Sequence, residues 1–156
     1  TVGLIENRPN SRNVVPGEVF FSVDLRHPDG TVLDAMEAEL AAALNDVCRP
    51  LGLGVAFDKI WDQPAVRFDP DCIAAVRRGA ELSGLSTRDI VSGAGHDAAY
   101  VSRVAPTAMI FVPCRDGVSH NETEFCSKEQ CAAGAQVLLQ AVLDYDRRLA
   151  ERRQGA

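Results

Sequence analysis

The sequence predicts a mixed fold in two parts, α+β in the first and α/β in the second. Three observations lead there. Val19, Phe21, Val23 and Leu25 alternate with Phe20, Ser22 and Asp24, and a helical pattern follows at once. Residues 62–68 interrupt that organisation, with Gln63-Pro64 as the break. Beyond it, residues 107–112 (TAMIFV) are a continuous apolar run between two helical stretches, the pattern of a strand buried on both faces.

The elements follow in order. Residues 1–5 read as a strand, and 6–12 (ENRPNSR) as turn material. Val14-Val15-Pro16-Gly17 is a turn into the strand that starts at Val19, so the two strands are expected to pair antiparallel. Asp29 or Thr31 caps a helix whose apolar face is Val32, Met36, Leu40, Leu44 and Val47, and Pro50 and Gly52 end it. Val55 and Phe57 begin another strand towards Trp61. Asp69-Pro70 is an N-cap followed by proline at the first helical position. That helix runs through Ile73, Val76, Ala80 and Leu82 and stops near Gly84. Ile90-Val91 reads as a short strand and residues 96–104 as a short helix. Ser127-Lys-Glu-Gln130 is a capping box, and the last helix is expected to bury Cys131, Ala135, Leu138, Val142, Tyr145 and Leu149.

Bulk properties narrow the function. The 156 residues suffice for one domain or two small ones. No apolar run approaches the roughly 20 residues a membrane helix needs. A net charge of −6 argues against nucleic acid and against an anionic membrane surface as partners. Five cysteines, an odd number without zinc-ribbon spacing, suggest reduced thiols and a cytoplasmic protein. The opening Thr1-Val-Gly-Leu-Ile reads like the interior of a strand, so the chain is expected to be a piece of something longer.

Three local constellations carry chemistry. Gly93-Ala-Gly95-His96-Asp97 places a histidine behind a glycine turn, where it could donate to an oxyanion or a substrate carboxylate. It could equally be bonded to Asp97 or to the backbone. Ser119-His120-Asn-Glu122 follows the buried strand, where α/β sheets keep their sites. His120 could be a metal ligand, with Asn121, Glu122 or Glu124 fixing its other nitrogen, or one histidine in an acidic loop. One ligand is a weak signal, since zinc takes three or four from a protein. Third, Asn13-Val-Val-Pro-Gly17 stands before Asp24-Leu-Arg26. Arg26 could clamp a carboxylate through two nitrogens, with the Asn13 amide adding a hydrogen bond. A cross-strand ion pair of Asp24 and a turn asparagine would explain the same residues. His27 has no assigned role.

These motifs, in this order and together with Pro106-Thr-Ala-Met-Ile-Phe-Val-Pro113, resemble one family. It is the group of metal-dependent amidohydrolases comprising N-carbamoyl-L-amino-acid hydrolase, allantoate amidohydrolase and β-ureidopropionase. These belong with aminoacylases and two-domain zinc carboxypeptidases. The resemblance covers the chain up to about residue 144. It implies that residues 1–62 are the second half of an antiparallel-sheet lid that also dimerises. Residues 63–156 are then the C-terminal part of an α/β catalytic domain.

The resemblance also implies roles. His96 is catalytic and, with Gly95, binds substrate near the scissile carbonyl. Asn13 and Arg26 hold the substrate carboxylate, reaching the site of the other subunit of a homodimer. His120 is the last ligand of a centre of two divalent ions: zinc, manganese, cobalt or nickel. The other ligands and the general base match no residue here, and Glu122 and Glu124 are not put in their place. The expected activity is cleavage of the carbamoyl C–N bond of N-carbamoyl-amino acids or related ureido acids. The chain alone is not expected to be active and could hold no metal at all. An aminoacylase or peptidase of the same larger group, or a non-catalytic dimerisation module, are the alternatives.

Overall fold

The computed structural model describes residues 1–154. The chain divides into two compact units, Thr1–Ala65 and Val66–Ala156.

In the first unit, strands β1 (Val2–Arg8) and β2 (Glu18–Val23) pair antiparallel. The register runs from Arg8↔Glu18 to Leu4↔Ser22 and slips between Leu4 and Val2, which faces Val23. Gly3 is the extra residue, as in a β-bulge. The turn expected over 6–12 therefore starts later. Glu6, Asn7 and Arg8 all find ladder partners, and the Arg8–Glu18 ion pair, 3.4 Å, adds a cross-strand charge pair. The Gly17 N–H closes the intervening loop on the Arg8 carbonyl at 2.8 Å.

Helix α1 (Gly30–Cys48) starts at Asp29, whose carboxylate accepts from the Thr31 N–H at 2.9 Å and the Thr31 hydroxyl at 2.7 Å. Met36, Leu40 and Leu44 are half-buried as expected, with Leu33 and Cys48 completing the stripe. Val32 and Val47 are exposed instead. They stand about 100° around the helix from Leu33 and Cys48, enough to leave the contact face. A 3-10 turn, Arg49–Leu51, ends the helix, and Gly52 at φ +68° supplies the left-handed residue. The strand expected from Val55 towards Trp61 does not form. No described segment forms a ladder with it, and Lys59 instead pairs with Glu37 of α1 at 2.5 Å.

In the second unit, helix α2 (Pro70–Leu82) begins as expected, with the Asp69 carboxylate accepting from the Cys72 N–H at 2.9 Å. Helix α3 (Asp97–Val101) is shorter than the expected 96–104, and His96 is its N-cap residue. Ile90 and Val91 stand exposed outside any strand. Residues 107–112 likewise have no ladder among the described residues, so the expected parallel layer is not seen. Their ends are still anchored. The Asp69 N–H donates to the Thr107 carbonyl at 2.9 Å, and Val112 packs where a Cβ on Gly134 would stand.

Helix α4 (Lys128–Gln154) opens with the expected capping box. The Gln130 N–H donates to Ser127 Oγ at 3.2 Å and the Ser127 N–H to Gln130 Oε1 at 3.0 Å. Of the expected contact face, Tyr145 and Leu149 are half-buried, but the remainder differs. Val137, Ala141 and Asp144 are buried, while Leu138 and Val142 are more than half exposed and Cys131 and Ala135 are exposed as well. The cause is α2, which presents Ala75, Gly79 and Ala80 to α4. A Cβ on Gly79 would lie 2.7 Å from the Val137 carbonyl, so the helix backbones touch there. Asp144 is buried between Arg147 at 2.5 Å and Arg148 at 2.6 Å, and Arg152 reaches Asp71 of α2 at 2.8 Å.

Candidate functional site

In the first unit, Arg26 follows β2 and doubles back on Asp24 two residues earlier. Its Nε lies 2.9 Å from Asp24 Oδ1 and a terminal nitrogen 2.5 Å from Oδ2. The guanidinium thus already grips a carboxylate through two nitrogens, the geometry that suits it to a substrate carboxylate. The ion pair is local, not cross-strand. Hydrogen bonding to Arg26 holds the Asp24 carboxyl below the ordinary aspartate range, and the same contact raises Arg26. Beside them is a cavity of about 250 Å³ lined by Thr1, Asp24, Leu25, Arg26 and Met36. Asn13 does not line it. It sits in the β1–β2 loop, where its side-chain oxygen accepts from the Ser11 hydroxyl at 3.0 Å. The structure therefore brings Arg26 to a cavity without bringing Asn13 to Arg26.

In the second unit, His96 is tied by neither Asp97 nor the backbone. Its Nε2 lies 2.6 Å from Ser92 Oγ, and the ring meets Phe111 edge-on with centroids 5.5 Å apart. The Ser92 hydroxyl also accepts from the Ala94 N–H at 3.2 Å, so one side chain holds both the turn and the imidazole. Phe111 belongs to the apolar run 107–112, which links that run to the orientation of His96. Gly95 needs no glycine for its backbone: its φ is not left-handed, and an added Cβ would meet nothing within 4 Å. What a glycine contributes there is open space next to His96.

His120 stands in the loop that leads to α4. It is exposed, with φ +55° in the left-handed region, uncommon outside glycine. Three contacts support that backbone. The His120 N–H donates to Glu124 Oε2 at 3.0 Å, Asn121 Oδ1 accepts from the Thr123 N–H at 2.9 Å, and the Arg115 N–H closes the loop base on the Phe125 carbonyl at 2.8 Å. Asn121 and Glu124, two of the three residues that could fix the imidazole, hold the main chain here. A short polar loop leaves its backbone donors unpaired, and these acceptors take them first.

The described residues contain no group of three or more His, Cys, Asp or Glu side chains placed to hold a metal ion. A dinuclear centre does not fit the donors present, because the described residues gather too few of them for even one zinc-type site.

The sequence profile of the peptidase family M20/M25/M40 matches residues 3–144. The chain belongs to that family. Among its M20-type relatives, the N-carbamoyl-L-amino-acid amidohydrolase of Rhizobium meliloti is 48% identical over 143 residues, covering 92% of this chain and 34% of the relative. The allantoate amidohydrolase of Bacillus subtilis is 38% identical over 138 residues, covering 88% and 34%. The crystal structure of an amidase of the hydantoinase/carbamoylase family from Burkholderia multivorans superposes with a TM-score of 0.87 at 53% identity, covering 93% of this chain and 35% of that one. The chain spans about a third of the length of the curated relatives it matches.

Two residues that hold His96 escaped the sequence reading. Ser92 was legible as a hydroxyl four residues before a histidine, and Phe111 only as one apolar residue in a run. Nothing in the sequence distinguishes Phe111 from its neighbours as the one that meets the imidazole.

Proposed function

We propose that the protein carrying this chain hydrolyses the carbamoyl C–N bond of N-carbamoyl-amino acids or related ureido acids such as allantoate. The observation that carries the reading is the 48% identity, across nine-tenths of the chain, to an N-carbamoyl-L-amino-acid amidohydrolase. The two-pronged grip of Arg26 on a carboxylate supports it, because these substrates share a carboxylate.

In this reading Arg26 takes the substrate carboxylate in place of Asp24, and Asn13 adds an amide hydrogen bond. Holding that end of the substrate fixes the position of the scissile carbonyl. Gly95 leaves room for it. His96, oriented by Ser92 and Phe111, donates to the oxygen on which negative charge develops, a role worth about 3–4 kcal/mol for one good donor. His120 is one ligand of a pair of divalent ions whose remaining ligands are not in this chain. The proposal keeps residues 1–62 as part of a lid that dimerises and lends Arg26 and Asn13 to the partner's site, with residues 63–156 as part of the catalytic domain. It also keeps the cytoplasm as location.

The test is a substrate panel on the full-length protein with zinc, manganese, cobalt or nickel supplied in turn. N-carbamoyl-L-amino acids and allantoate should turn over at least tenfold faster than N-acyl-amino acids and dipeptides. Faster cleavage of dipeptides would overturn the reading in favour of a peptidase, which the family's name supports as the second possibility.

A further inference from the structure

The entry to α4 brings two thiols together. Ser127 is the N-cap, so Cys126 is the residue before the cap and Cys131 the fourth of the helix. The capping box sets the chain's entry angle, and these two positions then face each other as the two halves of a staple normally made by apolar side chains. The Cys126 thiol lies 3.9 Å from Gln130 Oε1, and Cys131 is near enough to raise its pKa. Cys126 is half-buried and Cys131 exposed, and both are free thiols. Cys114 stands near them, with its sulfur 3.7 Å from Glu124 Oε1.

We propose that Cys126 and Cys131 are a thiol–disulfide exchange site for small disulfides of the glutathione type. Cys131, the exposed thiol, attacks as thiolate on one sulfur of the oxidant. The oxidant's S–S bond breaks, one glutathione leaves as thiolate, and a mixed disulfide stands on Cys131. Cys126 then loses its proton and attacks the Cys131 sulfur, expelling the second glutathione. Two thiols become one disulfide, and the oxidant accepts two electrons and two protons as two glutathione thiols. Desolvation, with Cys131 beside it, raises the Cys126 thiol above its ordinary value, so Cys126 is the slower nucleophile and attacks second, where proximity within the mixed disulfide offsets its smaller thiolate fraction. Desolvation and the neighbouring Glu124 carboxylate raise the Cys114 thiol too, and the carboxylate's charge disfavours a thiolate there. The product would tie the end of the His120 loop covalently to the first turn of α4.

The arrangement of basic residues makes the test direct. Trypsin cuts after Arg103, Arg115, Lys128 and Arg147, so Cys114, Cys126 and Cys131 fall in separate peptides, 104–115, 116–128 and 129–147. The full-length protein is incubated with glutathione disulfide, its remaining thiols are alkylated, and it is digested without reductant. Peptides 116–128 and 129–147 should appear joined, with both thiol hydrogens lost, and separate on reduction. The joined species should vanish in Cys131→Ser and persist in Cys114→Ser. Three singly alkylated peptides, a lasting glutathione adduct on Cys131, or a link involving 104–115 would each overturn the proposal.

Discussion

The backbone N–H of His120 lies 3.0 Å from Oε2 of Glu124, and His120 holds φ +55°. A non-glycine residue in that region persists only when its surroundings impose it, and such residues gather at functional sites. The bond to a carboxylate is charge-assisted, and such bonds contribute about 1.5–3 kcal/mol. Glu124→Ala should therefore speed hydrogen exchange of the His120 amide by about tenfold or more. Glu124→Gln, which keeps an acceptor oxygen, should fall between that variant and the parent. Equal exchange in all three proteins would show that Glu124 does not hold the loop.

Arg26 offers a second prediction. In the full-length protein Arg26→Ala should raise KM for a ureido acid by about tenfold to a hundredfold, the range expected when one charged hydrogen-bonding partner of a carboxylate is removed. Arg26→Lys should restore little of it, since an ammonium cannot reproduce the two-pronged grip. A substrate analogue with a neutral amide in place of the carboxylate should be almost indifferent to the change. An unchanged KM for the carboxylate substrate would remove Arg26 from the site.

The Asp24–Arg26 pair makes the first unit respond to acid. Hydrogen bonding from Arg26, reinforced by its charge, depresses the Asp24 carboxyl. A group depressed in the folded state stabilises that state above its unfolded pKa, and the contribution is lost as pH falls through the folded value. The contribution of this exposed pair should thus be complete at neutral pH and fade in the acid range, below the ordinary aspartate value of about 3.9. Following the Asp24 carboxyl carbon by NMR should show a midpoint that rises in Arg26→Ala. A midpoint indifferent to that substitution would mean Arg26 is not the cause.

Two glycines should respond in opposite ways to alanine. At Gly79 the new Cβ would stand 2.7 Å from the Val137 carbonyl and 3.1 Å from the Ala141 nitrogen, so α2 and α4 must separate. Overpacking of this kind costs about 1–3 kcal/mol, which outweighs the roughly 1 kcal/mol alanine gains in a helix. At Gly95 the Cβ meets nothing, so stability should stay within about 0.5 kcal/mol of the parent. If Gly95 leaves room for substrate, turnover should nevertheless drop. Urea unfolding and steady-state kinetics on both variants separate these effects, and a Gly95→Ala enzyme with full activity would end the substrate role.

Legibility differed between elements for physical reasons. Helix ends were plain because their determinants are local. Asp29, Asp69 and the Ser127–Gln130 box act within three residues of the turn they cap. The apolar runs at 55–61 and 107–112 read as strands from the sequence, but neither joins a sheet among the described residues. A strand is completed by a neighbour's ladder of hydrogen bonds, and the described residues form no ladder with either run. At the candidate site, His96 and His120 were visible as residues, but their holders were not. Ser92 holds the His96 ring and Glu124 the His120 backbone, and in each case another acceptor nearby in sequence was an equal contender.

The sequence by itself determined the helices, their caps, the antiparallel pair and the family motifs around Asn13, Arg26, His96 and His120. Only the tertiary structure decided which face of α4 is buried. Leu138 and Val142 are the more apolar choice, yet Val137 and Ala141 face inward because Gly79 lets the α2 backbone come into contact there. Hydrophobicity says that a helix will bury a face. Close packing against one particular neighbour says which face, and that neighbour lies some sixty residues away in the chain.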